Sequence, residues 1–309
     1  ARSASRRTEE IGLRVAATAD STTANATLVR DLVALTKPRI TALVLVTTAG
    51  GLALAPGKLS WPLQLITILA TGLVVSAASA LNNYLERDSD ALMKRTRTRP
   101  LAAGRVAPGV ALAFGLSLAG ISIPLLVFLI NPLAGLLAFV AFVSYVFIYT
   151  PMKRMTSDAL LVGAIPGAMP PLIGWVAVTN RIDLAGVVLF ALLFVWQLPH
   201  SLAIAISLAD DYARGGHKVH PVVRGALSAR RWAFVWSVAQ LAVSLLLLPL
   251  GMGGWLYGAV ALVCGVAFLV QAREGLRREP PPGWSRRLMF GSIRYLCAIF
   301  FALAVDVWL

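Results

Sequence analysis

An all-α bundle of transmembrane helices is the fold class this sequence predicts, and three observations predict it. First, the 309 residues are 58% hydrophobic and only 14% charged, against roughly 25% charged in soluble domains. Second, apolar runs of about 20 residues, long enough to cross a bilayer as helices, recur along the chain. Third, the basic residues sit almost wholly in alternate loops between those runs.

The elements follow in order. Residues 1–35 are polar, rich in Ser, Thr, Ala and Arg, with no apolar core. They predict a flexible cytosolic tail and no cleavable secretory signal; residues 36–309 form the membrane domain. Nine spans are expected, at roughly 39–56, 62–84, 108–129, 133–150, 157–179, 184–208, 230–250, 254–272 and 288–308. Pro124, Pro166, Pro170, Pro171 and Pro199 fall inside spans. Such breaks survive in a membrane where neighbouring helices or a cavity satisfy the freed backbone groups. Cys264 and Cys297 both lie in apolar runs and read as small buried hydrophobes, with no Cys-x-x-Cys spacing for redox work.

Charge sets the orientation. With nine spans, all but two of the 28 Lys and Arg fall on the side of the N-terminus; the exceptions are Lys58 and Arg181. The basic side is expected to be cytoplasmic, as in a bacterial inner-membrane protein, with the C-terminus outside. The net charge of +14 does not imply nucleic acid, because the cations occupy short loops and no nucleic-acid motif is present.

The acids are as concentrated as the bases. Of 14 Asp and Glu, Glu86, Asp88 and Asp90 follow the second span, and Asp210 and Asp211 follow the sixth. Both places are helix ends on the basic side. Asn82, Glu86 and Asp90 are spaced i, i+4, i+8 and share one helix face. Oxygen ligands stacked so suit a hard divalent cation, and Mg²⁺ typically binds through one or two carboxylates plus a substrate's phosphates. Lys94, Arg95, Arg97 and Arg99 follow directly and supply charge for those phosphates. Two acidic clusters facing each other across the bundle would hold Mg²⁺ between them. His200, within the sixth span, is either a functional group, as intramembrane ionisable residues are by default, or an interhelical hydrogen-bond partner. His217 and His220 read as solvated loop residues rather than a metal motif.

Five stretches in order carry a resemblance: Leu35 to Thr41; Asn82 to Leu101; Tyr149 to Arg154; Gly163 to Trp175; and Trp196 to His200 with Asp211-Tyr212. Over residues 31 to 225 the chain resembles the protoheme IX farnesyltransferase (heme O synthase) family of UbiA-type membrane prenyltransferases. The resemblance implies nine transmembrane helices around a central cavity. It implies transfer of a farnesyl group from farnesyl diphosphate to a vinyl group of heme b, with addition of water, giving heme O for terminal oxidases or for a downstream heme A synthase. It places one Mg²⁺ on Asn82, Glu86 and Asp90, and a second or shared one on Asp210 and Asp211. Lys94, Arg95, Arg99, Lys153 and Arg154 would clamp the diphosphate, with Tyr212 beside them, and His200 would serve the reaction.

Three departures stand against that pattern. Glu86 occupies a position where the family more often has Asp. Asp210 and Asp211 are adjacent, so on a helix they point about 100° apart and Asp211 is the one expected to face the cavity. The His217 to His220 segment replaces an apolar, proline-containing one. Two other readings remain open: a related prenyltransferase acting on a quinone or chlorophyll precursor, and a transporter or lipid-binding membrane protein. The latter predicts acids at mid-membrane and internal repeats, whereas the acids here cluster at helix ends.

Overall fold

A computed structural model of the chain describes residues 27–308. Its first helix, α1 (Thr27–Leu35), meets α2 (Pro38–Leu54) at a bend of 51°. Pro38 causes the bend, because its ring disfavours helical backbone in the residue before it, and Lys37 is left at φ 51°. Leu35 is buried against Ala80, Leu101, Val106 and Ala111, and Asp31 pairs with Arg105 at 2.9 Å. The end of the expected tail is therefore a docked helix; residues 1–26 lie outside the described residues.

Next comes α3 (Trp61–Leu92), whose 32 residues span about 48 Å at 1.5 Å per residue. This exceeds the roughly 30 Å hydrocarbon core, so its last turns emerge and carry Asn82, Glu86 and Asp90 with them. α4 (Pro108–Leu125) and α5 (Pro132–Val143) each end in a wide π-helical turn, Leu126–Ile130 and Ser144–Tyr149 respectively. In the first, the Asn131 amide donates to Leu126, five residues back, at 3.0 Å. In the second, the Thr150 amide reaches Tyr145, again five back. A single regular turn, α6 (Thr150–Met152), follows.

Then come α7 (Ala159–Thr179), α8 (Leu184–Ser207), the short α9 (Ala209–Arg214), α10 (His220–Leu245), α11 (Trp255–Glu274) and α12 (Trp284–Trp308). Asn131 and Asp183 cap α5 and α8 by accepting amides from Ala134 and Gly186. Helix α7 packs between α2 and α8, α8 packs on α10 and α12, and α12 reaches back to α2. The α2–α7 contact is backbone on backbone: a Cβ on Gly51 would lie 2.0 Å from the Pro171 carbonyl, and one on Gly174 2.2 Å from that of Thr48. Small residues permit such close approach between membrane helices.

Among the described residues, seven helices are long and apolar enough to cross a membrane, or eight if the bent α1–α2 pair is one span. The expected count of nine is thus approximate. The remaining helix is α10, which begins ten residues before the expected span and carries Arg224, Arg230 and Arg231 in its first half. Gly225, at φ 78°, breaks it near its start. Large apolar side chains such as Phe128 and Phe301 face outward from the bundle, as lipid contact requires. Cys297 is exposed on α12 rather than buried.

Candidate active site

The last turns of α3 open onto a cavity of about 230 Å³. Asn82, Glu86 and Asp90 all line it, and all three are buried. The Asn82 amide NH₂ donates to Glu86 Oε2 at 3.0 Å and to Thr150 Oγ1 at 3.1 Å, while its Oδ1 accepts from Lys37 Nζ at 2.8 Å. Glu86 Oε1 pairs with Lys153. Asp90 Oδ2 pairs with Arg99 Nη1 at 2.7 Å. Asp90 Oδ1, on a residue only 1% exposed, has no partner among the described residues.

Five basic residues line the cavity with these oxygens: Lys37 from the α1–α2 elbow, Arg95 and Arg99 from the loop after α3, Lys153 from the end of α6, and Lys218 from the loop after α9. Lys153 also lies over the Tyr149 ring at 4.8 Å and Arg95 over the Tyr212 ring at 5.9 Å. The Tyr145 and Tyr149 rings, 5.4 Å apart, form an aromatic wall of the cavity. The wide turn 144–149 sets their positions, together with those of Thr150 and Lys153 beyond it.

Asp211 is turned elsewhere. Its carboxylate accepts the backbone amides of Lys94 at 2.8 Å and Arg95 at 3.2 Å and pairs with Arg214 at 2.5 Å. Burial works against its ionisation, but the Arg214 guanidinium and the two amides outweigh burial and hold the carboxyl below the ordinary Asp value. Asp210 is exposed. The two acidic clusters therefore do not converge on one ion: among the described residues, no three Asp, Glu, His or Cys side chains gather as a metal cage. The reason is local, since Asp211 spends its oxygens on the loop that carries Arg95 and Arg99.

Of the other expected site residues, Arg95, Arg99, Lys153 and Tyr212 line the cavity, whereas Lys94, Arg154 and His200 do not. His200 bonds Ser292 Oγ at 2.7 Å and stacks on Trp196 at 5.0 Å, which is the interhelical role, joining α8 to α12. His217 and His220 correct the solvated-loop expectation, for both are buried. His217 lines the cavity with its ring perpendicular to that of Tyr212, and burial pushes its pKa down. The Lys218 amide donates to the Lys153 carbonyl at 2.7 Å, which pins this segment over the site. His220 Nε2 meets Ser228 Oγ at 3.0 Å.

Sequence reasoning gave no role to Lys37, Tyr145, Tyr149 or His217. For Lys37 a signal existed: a cation directly before a proline at the head of an apolar run. The donor set at Asn82, Glu86 and Asp90 is all oxygen and holds one unpartnered buried carboxylate oxygen. This suits a hard cation completed by substrate oxygens.

The UbiA prenyltransferase family profile matches residues 44–293. A protoheme IX farnesyltransferase of Anaeromyxobacter sp. (strain Fw109-5) is 52% identical over 274 residues, 89% of this chain and 92% of the relative. That of Myxococcus xanthus is 47% identical over 280 residues, covering 91% and 95%. Among solved structures, a digeranylgeranylglyceryl phosphate synthase superposes with a TM-score of 0.75 at 16% identity, covering 90% of this chain and 98% of that one. A UbiA homologue from Archaeoglobus fulgidus bound to GPP and Mg²⁺ gives 0.67 at 14% identity, covering 89% and 99%. These last likenesses concern the fold.

Proposed function

The chain belongs to the UbiA prenyltransferase family, and on that premise we propose that it transfers a farnesyl group from farnesyl diphosphate to a vinyl group of heme b, forming heme O. The names of relatives near 50% identity support the substrates. The single observation that carries the chemistry is the unpartnered Asp90 Oδ1, buried beside Asn82 and Glu86 in a cavity lined by five basic residues.

In this reading Asn82, Glu86 and Asp90 hold Mg²⁺, which when bound supplies positive charge to the diphosphate. The chain's own groups do the rest. Lys37, Arg95, Arg99 and Lys153 bind the diphosphate oxygens. They stabilise the negative charge that grows on the leaving group as the allylic C–O bond breaks. Tyr145 and Tyr149 offer ring faces to the positive charge left on the farnesyl carbon. Leu160, Leu202 and Ala205 line the same cavity and keep water away until the vinyl carbon attacks. A new C–C bond then joins farnesyl to the vinyl terminus. Water adds at the adjacent carbon and loses a proton, giving the hydroxyethylfarnesyl side chain.

Asp211 positions the Lys94–Arg99 loop and would ligate a metal only after releasing it. Arg154, Lys94 and His200 support from outside the cavity. The site opens on the side that carries the basic loops. The positive-inside rule makes that side cytoplasmic, with the C-terminus outside. The product would pass to terminal oxidases or to an enzyme that oxidises heme O to heme A.

The test is a membrane assay with heme b, farnesyl diphosphate and Mg²⁺, with and without EDTA, reading extracted hemes by mass. An EDTA-sensitive product heavier by one farnesyl group and one water is expected. No heme product from folded protein would refute the heme acceptor and direct the same assay to quinone precursors.

A further inference from the structure

Away from the cavity, the largest excess of charge lies at the start of α12. Residues 273–294 hold six Arg against two Glu. Arg287 meets Glu274 only at 3.8 Å. Among the described residues, Arg286 and Arg294 form no ion pair, and Arg286 rests over the Phe290 ring at 5.7 Å. These arginines, with Phe290 and Ile293, line an open groove of about 640 Å³ on the outside of the bundle.

The groove is graded along the helix. Arg294 lies about 12 Å further along the axis than Arg286, toward the membrane interior. Phe290 lies midway between the two and Ile293 beside Arg294; they are 47% and 40% exposed, and Phe301 beyond is 71% exposed. This is a lipid-facing surface. A guanidinium there reaches back toward the interface with its stem along apolar surface, and without an anion it leaves a costly charge beside hydrocarbon. A phosphodiester takes both arginines by paired N–H···O bonds, while the acyl chains attached to it cover Phe290 and Ile293. A soluble phosphate would satisfy the arginines and leave the apolar strip bare. A zwitterionic headgroup would bring its own cation into an already basic site.

We propose that Arg286, Arg287 and Arg294, with Phe290 and Ile293, form a binding site for one anionic phospholipid on the outer face of α12. The groove is separate from the reaction cavity, and the inference does not depend on the acceptor substrate.

The full chain is extracted from nanodiscs containing equal phosphatidylglycerol and phosphatidylcholine, and retained lipid is counted by native mass spectrometry. The wild type is expected to keep phosphatidylglycerol in preference to phosphatidylcholine. The R286Q/R294Q variant should lose one retained phosphatidylglycerol, with about tenfold lower occupancy at matched lipid, while K58Q/R181Q on the opposite face should keep it. Should the double variant not survive extraction, R286Q alone decides by the same readout. Equal retention of the two lipids, or unchanged phosphatidylglycerol in the arginine variants, overturns the site. Displacement of the lipid by inorganic diphosphate overturns the lipid assignment in favour of a soluble phosphate ligand.

Discussion

Lys37 Nζ donates to Asn82 Oδ1 at 2.8 Å across 45 residues of sequence. The bond joins the elbow between α1 and α2 to the first oxygen of the α3 cluster. Lys37 has a left-handed backbone, φ 51° and ψ 64°, directly ahead of Pro38, which disfavours helical backbone in that residue. It orients the Asn82 amide and places a basic side chain at the cavity.

Replacing Lys37 by Met should raise KM for farnesyl diphosphate by about tenfold, the loss of one charge-assisted hydrogen bond of roughly 1.5 kcal/mol. Lys37→Arg keeps the charge and should recover part of that loss. Steady-state kinetics at saturating heme b separate the two; an unchanged KM in Lys37→Met would remove Lys37 from diphosphate binding.

Asp90→Ala takes away the unpartnered oxygen and the Arg99 partner together. Turnover should fall by at least about 100-fold, the scale of a lost transition-state electrostatic contact, with membrane insertion intact. Asp90→Asn preserves the shape and an acceptor for Arg99, yet should also lose Mg²⁺ response. An Asn variant with wild-type Mg²⁺ dependence would contradict the ligand assignment.

Asp211→Ala should free the loop after α3. The amides of Lys94 and Arg95 should exchange hydrogen faster, and KM should rise more than kcat falls, since the loop carries Arg95 and Arg99. The Asp211 carboxyl is held below its ordinary value, so its contribution is complete above about pH 4. It is lost as pH falls through the lowered folded-state value. Unaltered exchange at both amides would show that the loop does not depend on this latch.

Gly51→Ala sets a Cβ 2.0 Å from the Pro171 carbonyl, a backbone atom that cannot swing aside. Helices α2 and α7 must separate, at a cost of about 1–3 kcal/mol for an overpacked contact. A lower midpoint in thermal melting of the detergent-solubilised protein is expected. Gly109→Ala, where a Cβ meets nothing within 4 Å, is the control and should melt as wild type.

The parts of this architecture that were legible in the sequence were the periodic ones. Asn82, Glu86 and Asp90 obey the 3.6-residue repeat, so their common face could be read without coordinates, and the helix does continue through them to Leu92. The spans were legible through hydropathy, except α10, where Arg224, Arg230 and Arg231 blur the membrane boundary. Asp211 was misread because its partners are backbone amides of Lys94 and Arg95, which any sequence would supply. Burial of His217 was hidden for a related reason: the Lys218–Lys153 backbone bond that folds its segment inward leaves no mark in composition.

The wide turn at Ser144–Tyr149 has a consequence for which changes this chain can tolerate. It holds one residue more than regular winding would use, so everything after it is advanced by about 100° around the axis. Deleting any one of those six residues would leave hydropathy and span length nearly untouched. The helix would relax to even winding, and Thr150 and Lys153 would swing off the reaction cavity. Phe147 and Ile148, which are exposed, can vary in kind while the site survives; the number of residues in the turn cannot.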